Sequence, residues 1–195
     1  MADSGWVFDS GRACLDLVNT RRDRHAGGRE LLTGPAALTE WLSLAGFTGR
    51  ADAAHLAMAL DLREAIDRVT RSVSAGHRPA REDVRVLNEA ARAAAPPALR
   101  LGADGTPHRA VAPSADPVAA ALGALAVDAI DLVTSPVTVR ICAADDCGLR
   151  LADASPQRNR QWCSMARCGN RAKARAHYAR RKLRDADPSG GGAGQ

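Results

Sequence analysis

The chain has 195 residues and a net charge of +5, and 46% of its side chains are hydrophobic but only 3% are aromatic. It is long enough for a hydrophobic core, which must be built from Leu, Val, Ile and Ala, and this composition favours helices. No run approaches the ~18 consecutive apolar residues that span a bilayer, and the N-terminus lacks the basic and apolar regions of a secretory signal. We therefore expect a cytoplasmic protein.

The first 135 residues carry patterns that predict a helical domain. Trp6 to Phe8 suits a short strand, and residues 21–35 are polar and rich in Arg and Gly, which predicts a loop. Asp104-Gly105 suits the tight turn of a β-hairpin over residues 98–112. Ser135-Pro136 ends the last apolar stretch, and we place a domain boundary there. The predicted helices cover residues 13–20, 36–46, 52–75, 81–95 and 116–133.

Four of the five cysteines form two close pairs in the last third of the chain. Cys142 and Cys147 are separated by four residues, fifteen residues follow, and Cys163 and Cys168 are again separated by four. This spacing is typical of a tetrahedral Zn(Cys)₄ site, and in a reducing compartment clustered cysteines indicate a metal rather than disulfides. Four thiolates leave no open coordination position, so we predict one structural Zn²⁺. Cys14 lies in an apolar stretch and is predicted to be a buried, inert thiol.

Basic charge is concentrated in the segment that carries these cysteine pairs. Residues 1–135 have a net charge of −2, whereas residues 136–195 have 12 basic and 5 acidic residues and a net charge of +7. This asymmetry indicates a polyanionic partner, and an Arg-rich helix on a small zinc scaffold is typical of elements that enter a DNA groove. The side chains predicted to contact nucleic acid are Arg158, Arg160, Arg171, Lys173, Arg175, Arg180, Arg181, Lys182 and Arg184.

The cysteine-bearing segment is predicted to contain strands at residues 137–141 and 149–152 and a helix that begins around residues 165–170 and ends near residue 184. Small residues on this helix form one narrow stripe, which we expect to pack on the zinc hairpin. The stripe consists of Ala172, Ala176, Ala179 and Leu183.

Three other residues near this helix allow two interpretations each. Asn170 can read an adenine edge or cap the helix, and we favour the cap. Tyr178 and His177 can stack on an exposed base, or they can simply form part of an exposed helix face. The sequence favours neither interpretation for this aromatic pair.

Two segments carry a resemblance to known families. The run from Trp162 to Lys173, WCSMARCGNRAK, resembles the signature of the CGNR zinc-finger family, named after its Cys-Gly-Asn-Arg run. Residues 142–148, CAADDCG, are similar to the first half of that finger. The N-terminal part resembles the ABATE domain that usually precedes it, in CLDLVNT at residues 14–20, in Leu38 to Leu42, and in the hairpin and helix at 98–133.

The resemblance implies a bacterial transcription regulator of the stress-induced type, whose finger binds DNA and whose N-terminal domain senses a ligand. An RNA-binding role, like that of a zinc ribbon, is an alternative. The expected fold is mainly α with a small β-hairpin and a treble-clef-like or ribbon-like Cys₄ zinc finger. Its parts would be a helical ABATE-like sensor domain at 1–135, the CGNR-type finger at 136–184 and a disordered tail at 185–195.

The N-terminal domain offers weaker signals. Asn19, Thr20, Arg22 and Trp41 could line a ligand pocket, but we favour the roles of helix C-cap, helix end, solvated loop and core aromatic, in that order. The sequence has no phosphate-binding Gly loop, nucleophile elbow or paired catalytic carboxylates, so we predict no catalytic residues and no enzyme. An enzyme in residues 1–135, with the finger as a tether, remains a third hypothesis. One finger rarely supplies enough specific surface, so we also expect a homodimer.

Overall fold

The computed structural model describes residues 5–186, and side chains as far as Arg181. It confirms the predicted fold class, because helices dominate and every strand belongs to a two-stranded antiparallel pair. The helices are α1 (Ala13–Val18), α2 (Pro35–Leu44), α3 (Ala53–Ser74), α4 (Arg81–Ala91), α5 (Pro117–Thr134) and α6 (Asn170–Ala186). The strand pairs are β1 (Arg21–Arg22) with β2 (Arg29–Glu30), β3 (Pro97–Leu101) with β4 (Pro107–Val111), and β5 (Thr138–Ile141) with β6 (Arg150–Asp153).

Helix α5 is the centre of the hydrophobic core. It is long and apolar enough to cross a membrane, but Leu122, Leu125 and Leu132 are buried and the helix packs against α1, α3 and α4, which is typical of a core helix. A Cβ added at Gly123 would lie 2.4 Å from the backbone nitrogen of Ala94, so this glycine lets the chain after α4 approach α5 closely.

The starts of α3 and α5 are capped by aspartates and joined to each other. Asp52 accepts a hydrogen bond from the His55 backbone N–H at 2.9 Å, and Asp116 accepts one from Ala119 at the same distance. Such caps satisfy backbone donors that have no partner within the helix. The His55 ring lies 3.0 Å from the Asp116 carboxylate, which holds the two helix starts side by side.

The structure corrects several predicted elements. Residues 6–8 form no strand; instead Phe8 stacks on Trp41 with ring centroids 5.9 Å apart. The predicted loop at 21–35 contains the β1–β2 pair, whose two-residue strands are too short to leave a sequence pattern. Helix α4 ends at Ala91, four residues before the predicted end at residue 95. Of the predicted tail at 185–195, residues 187–195 lie outside the described residues, whereas Asp185 and Ala186 belong to α6.

The cysteine-bearing segment packs directly on the helices. Ala152 in β6 belongs to the same hydrophobic cluster as α1, and its backbone N–H donates to Ser10 at 2.8 Å. The Asn19 side chain pairs with the backbone of Arg150 in both directions, at 2.8 and 2.9 Å. The Arg150 guanidinium also forms a 2.8 Å ion pair with Asp67 of α3, and both side chains are almost completely buried. The two halves of the chain therefore share part of one core.

Candidate metal centre and nucleic-acid interface

The four paired cysteines converge from one loop and one helix start. Cys142 follows β5 and Cys147 precedes β6, and their loop is closed by a 3.0 Å hydrogen bond from the Cys147 N–H to Ala144. Cys163 lies just before a wide helical turn, Met165–Gly169, and Cys168 lies within this turn, which continues into α6. One ligand pair on a hairpin loop and one at a helix start make a treble-clef-like arrangement.

The sulfur atoms fit a single tetrahedral ion. All four Sγ atoms lie within 4.8 Å of one another; the Cys147–Cys163 and Cys163–Cys168 distances are 3.7 and 3.5 Å. A tetrahedral zinc with Zn–S bonds of ~2.3 Å places sulfur atoms ~3.8 Å apart. All four side chains are buried, so water has little access. The predicted structural Zn²⁺ is therefore confirmed, with Cys142, Cys147, Cys163 and Cys168 as its ligands.

Electrostatics explain why this cluster needs a cation. A hydrogen bond from the Cys163 thiol lowers the pKa of Cys147 to about 5, and the same contact raises the pKa of Cys163. Burial raises the pKa of Cys168 to about 11. Buried sulfurs this close cannot all be thiolates unless a metal offsets their charge.

Donors around the cluster favour the charged form. The Cys163 backbone N–H points at Cys142 Sγ, 3.4 Å away, and the Arg171 guanidinium lies 3.6 Å from Cys168 Sγ. Such outer contacts orient metal ligands and offset thiolate charge.

The fifth cysteine, Cys14, lies elsewhere, in the core on α1. Burial raises the pKa of its thiol well above the usual range, which agrees with an inert thiol.

Helix α6 leaves the zinc centre as an exposed basic helix. Every described side chain from Lys173 to Arg181 is exposed. The prediction that Ala176 and Ala179 pack on the zinc hairpin is therefore wrong, because both side chains are exposed; of the described part of the stripe, only Ala172 is half-buried. The side chain of Leu183 lies outside the described residues.

The predicted nucleic-acid residues on α6 divide into two groups. Arg171 and Arg175 both donate to Asp146 of the first cysteine loop, each at 3.0 Å, and this contact lowers the pKa of the Asp146 carboxyl. The second group consists of the other predicted basic residues of α6, and those with described side chains are exposed. They are Lys173, Arg180 and Arg181, together with Lys182 and Arg184, whose side chains lie outside the described residues.

The two predicted residues in the loop before Cys163 differ from each other. Arg158 is exposed at the loop tip, in a left-handed conformation with φ of +46°. Arg160 instead directs its guanidinium at backbone carbonyls, including those of Ala152 at 3.1 Å and Asp9 at 2.9 Å. Arg160 thereby holds the loop, the N-terminal segment and β6 together, and its role as a nucleic-acid contact stays a prediction.

Comparison with protein families agrees with this architecture. A model for the ABATE family, described as "Putative stress-induced transcription regulator", matches residues 11–136, and one for the CGNR zinc finger matches residues 138–181. The first match covers more than half of the chain. The chain belongs to the ABATE family. Its ABATE domain contains α1 to α5, and its CGNR finger contains all four zinc ligands. A search of curated proteins found no match.

The predicted ligand-pocket residues of the ABATE domain do not line a common cavity among the described residues. Asn19 is the C-cap of α1 and binds Arg150, and the Thr20 hydroxyl donates to Leu17 at 2.7 Å. Trp41 is completely buried in the core. Arg22 lines a cavity, whereas Asn19, Thr20 and Trp41 are buried, so the structure does not bring the four residues together in one of the cavities described below.

Arg22 belongs to a basic cavity of about 390 Å³ where the ABATE domain meets the CGNR finger. Burial, with Arg167 close by, lowers the pKa of Arg22, and its Nε is buried without a hydrogen-bond partner among the described residues. Sequence reasoning missed Arg29 and Arg167, which also line this cavity. Arg167 lies between two zinc ligands and could have been found from that position, whereas Arg29 is distant in sequence.

A second cavity, an open cleft of about 780 Å³, separates α3 from the first cysteine loop. The Arg24 side chain there pairs with Glu64 at 2.7 Å. The other charged residues that line the cleft are Arg21, Arg68, Arg71 and Arg150, with Asp67 and Asp145.

Asn170 and the aromatic pair are exposed on α6. Asn170 has helical dihedral angles and donates its backbone N–H to Met165, so it lies inside a helical segment that begins after Ser164. The predicted cap is therefore wrong, because the wide turn extends the helix by five residues before Asn170. Tyr178 is 69% exposed, and its ring meets that of His177 edge-on at 6.0 Å.

Proposed function

We propose that this protein is a transcription regulator that binds double-stranded DNA through its CGNR finger, with α6 as the element that enters the groove. The observation that carries the proposal is the projection of α6 from the zinc centre with its basic side chains exposed. Arg side chains can hold phosphates or guanine edges with two hydrogen bonds. Zinc fixes the start of the helix, and Asp146 fixes the orientation of Arg171 and Arg175.

The proposed interface extends beyond α6. Arg22, Arg29 and Arg167 lie around the cavity at the start of this helix. A DNA backbone that follows α6 towards the zinc centre would supply acceptors for them. Because phosphate contacts outnumber base contacts in typical complexes, we assign these arginines to the backbone rather than to base recognition.

The decisive experiment is selection of sheared genomic DNA by the zinc-loaded protein at physiological salt, followed by sequencing. Enrichment of a few short sites is expected from a sequence-specific regulator. If ~5 phosphates are neutralised, the log–log dependence of affinity on salt should have a slope near −4 to −5. Uniform or absent recovery would contradict specific DNA recognition.

A matched pair of variants locates the interface. Lys173→Gln/Arg180→Gln should weaken DNA binding about tenfold and reduce the salt slope by about 2, one for each lost phosphate contact. Arg78→Gln/Arg92→Gln removes the same charge from exposed positions of the ABATE domain and should change neither quantity. Equal effects of the two pairs would indicate that net charge, not α6, governs binding.

RNA binding is the second candidate, because Tyr178 is so exposed. An aromatic ring on a basic helix can stack on an unpaired base. This alternative predicts a preference for single-stranded RNA over duplex DNA and a larger loss from Tyr178→Ala than from Arg180→Gln. The duplex-DNA proposal predicts the reverse order in both comparisons.

The remaining parts of the proposal concern the ABATE domain. We propose that it senses an anionic ligand in the Arg-lined cleft between α3 and the first cysteine loop. We further propose that the protein is a dimer located in the cytoplasm and that it has no catalytic activity. Four thiolate ligands leave no open position on the zinc, which supports a structural rather than a catalytic metal. A metabolite that copurifies and is chemically altered on turnover would contradict the non-catalytic part and favour an enzyme.

A further inference from the structure

The β3–β4 hairpin has an exposed apolar face. Residues directly opposite in an antiparallel pair share one face, and the register pairs Leu99 with Arg109, Leu101 with Pro107, and Pro97 with Val111. Leu99, Leu101 and Val111 are 76%, 68% and 67% exposed. The opposite face carries Ala98 and Ala110, which are half-buried. The hairpin therefore directs its large apolar side chains away from the protein.

Leu99 and Leu101 also form the edge of β3 that faces away from β4. Hydrogen bonds from Gly102 to Thr106 and from Ala112 to Pro96 flank the hairpin and fix which residue pairs are bonded. Bonded and non-bonded pairs alternate along an antiparallel ladder, so the backbone groups of Leu99 and Leu101 point outward from the sheet. The sheet has two strands, and within the described part of the chain no third strand pairs with this edge.

An exposed edge of this kind needs a partner. A hairpin of two strands alone is marginally stable in water, and an apolar edge strand is a template for pairing with another strand. The edge of β3 complements itself, because an antiparallel strand matches its own copy across a two-fold axis. The edge of β4 is less suitable, since Arg109 would lie close to its own copy.

We infer that β3 pairs antiparallel with β3 of a second copy of this chain, with Leu99 on the two-fold axis, to form a four-stranded sheet. This register places Leu99 opposite Leu99 and Leu101 opposite Pro97, so apolar side chains meet across the axis. It also places Arg100 opposite Ala98 and so keeps the two Arg100 side chains from facing each other. The backbone N–H groups of Leu99 and Leu101 then donate to carbonyls of the second copy.

The available area fits a reversible dimer. The three large apolar side chains leave on the order of 300 Å² exposed on each copy. Two copies together expose on the order of 600 Å² of apolar side chain on this hairpin, about half of the ~1,200 Å² at which stable specific interfaces begin. We therefore expect dissociation in the micromolar range. The inference assigns a surface to the dimer proposed above and does not depend on nucleic-acid binding. The β3–β3 dimer and DNA binding by α6 can therefore be tested separately, and either can fail without the other.

Sedimentation equilibrium of the zinc-loaded full chain tests the inference. Concentrations from about 1 to about 200 µM bracket the dissociation constant expected for so small an interface. The mass should rise from 20.4 kDa towards twice that value. Leu99→Glu/Leu101→Glu should remain monomeric, because the two carboxylates introduced at position 99 would face each other as like charges across the axis. Leu44→Glu, a matched change at an exposed leucine of α2, should dimerise normally. Circular dichroism and zinc content confirm that each variant folds.

Cross-linking tests the register. Residues opposite each other in a bonded pair have Cα atoms ~5.5 Å apart, a distance that suits a disulfide. Leu99→Cys should therefore cross-link through oxidised glutathione, whereas Leu101→Cys, which faces Pro97, should cross-link far less. A monomeric wild type at the highest concentration, or a dimer that survives Leu99→Glu/Leu101→Glu, would overturn the inference.

Discussion

The ABATE domain and the CGNR finger use arginine in opposite ways. In the ABATE domain the Arg63 side chain is only 3% exposed and is held by Glu30 at 2.7 Å and Glu64 at 2.9 Å. On α6 the exposed Arg171 and Arg175 share one carboxylate, that of Asp146. A buried arginine such as Arg63 is neutralised within the fold, whereas the sequence of α6 carries more basic than acidic residues. The position of the acids, more than the number of arginines, distinguishes a structural cation from one available to a partner.

The largest expected effect breaks the scaffold of the exposed helix. Cys163→Ser removes a zinc ligand, and structural zinc contributes apparent binding free energies of ~10–16 kcal/mol in small fingers. We expect loss of bound zinc, unfolding of the finger and loss of DNA binding, measured by metal analysis, hydrogen exchange and DNA titration. Cys14→Ser serves as the control and should retain zinc. A Cys163→Ser protein that binds zinc and DNA normally would contradict the metal centre described here.

The next effect concerns the buried cation that joins the two regions. Asp67→Ala leaves the Arg150 guanidinium buried without its main partner, and breaking such a pair costs ~3–5 kcal/mol. Urea denaturation should therefore show a clearly lower midpoint. Glu89→Ala disrupts an exposed 3.7 Å pair with Arg85 and should cost less than ~1 kcal/mol. Similar losses in the two variants would mean that burial does not govern these pairs.

A smaller effect follows from Asp16, a buried carboxyl near the start of α1. Burial raises its pKa to about 6 from the usual 3.8. The folded state therefore binds more protons than the unfolded state between these values, so stability should fall by ~1–3 kcal/mol as pH rises from 4 to 6 and then level off. Asp16→Asn should remove this dependence and keep the acceptor for the Ser10 N–H. Thermal unfolding across this pH range provides the measurement.

The smallest effect should come from the exposed arginines themselves. Lys173→Gln/Arg180→Gln should change the free energy of unfolding by no more than ~0.5 kcal/mol, because exposed side chains contribute little to stability. Chemical denaturation monitored by circular dichroism checks this, with the same samples used for DNA titration. A large loss of stability would mean that these side chains are structural, like Arg63, and would remove the distinction between the two regions.

The sequence predicted features that depend on local spacing. The cysteine intervals identified the zinc ligands, apolar periodicity identified the helices, and Asp104-Gly105 identified the hairpin turn. It could not predict contacts between distant residues. The clamp formed by Arg160 and the pairing of Asn19 with Arg150 connect segments more than 100 residues apart. The direction of α6 depends on a wide helical turn whose register local spacing does not specify.

The position of β6 makes metal occupancy a property of the whole molecule. This strand follows a zinc ligand in the chain, and it also contributes Ala152 to the core beneath α1 and the Arg150 backbone to Asn19. Loss of the ion would therefore release β6 and remove its packing and hydrogen bonds from the core of the ABATE domain. By mass action, free zinc should raise the melting temperature of the helices as well as that of the finger. Calorimetry should record a single cooperative transition whose midpoint follows the zinc concentration.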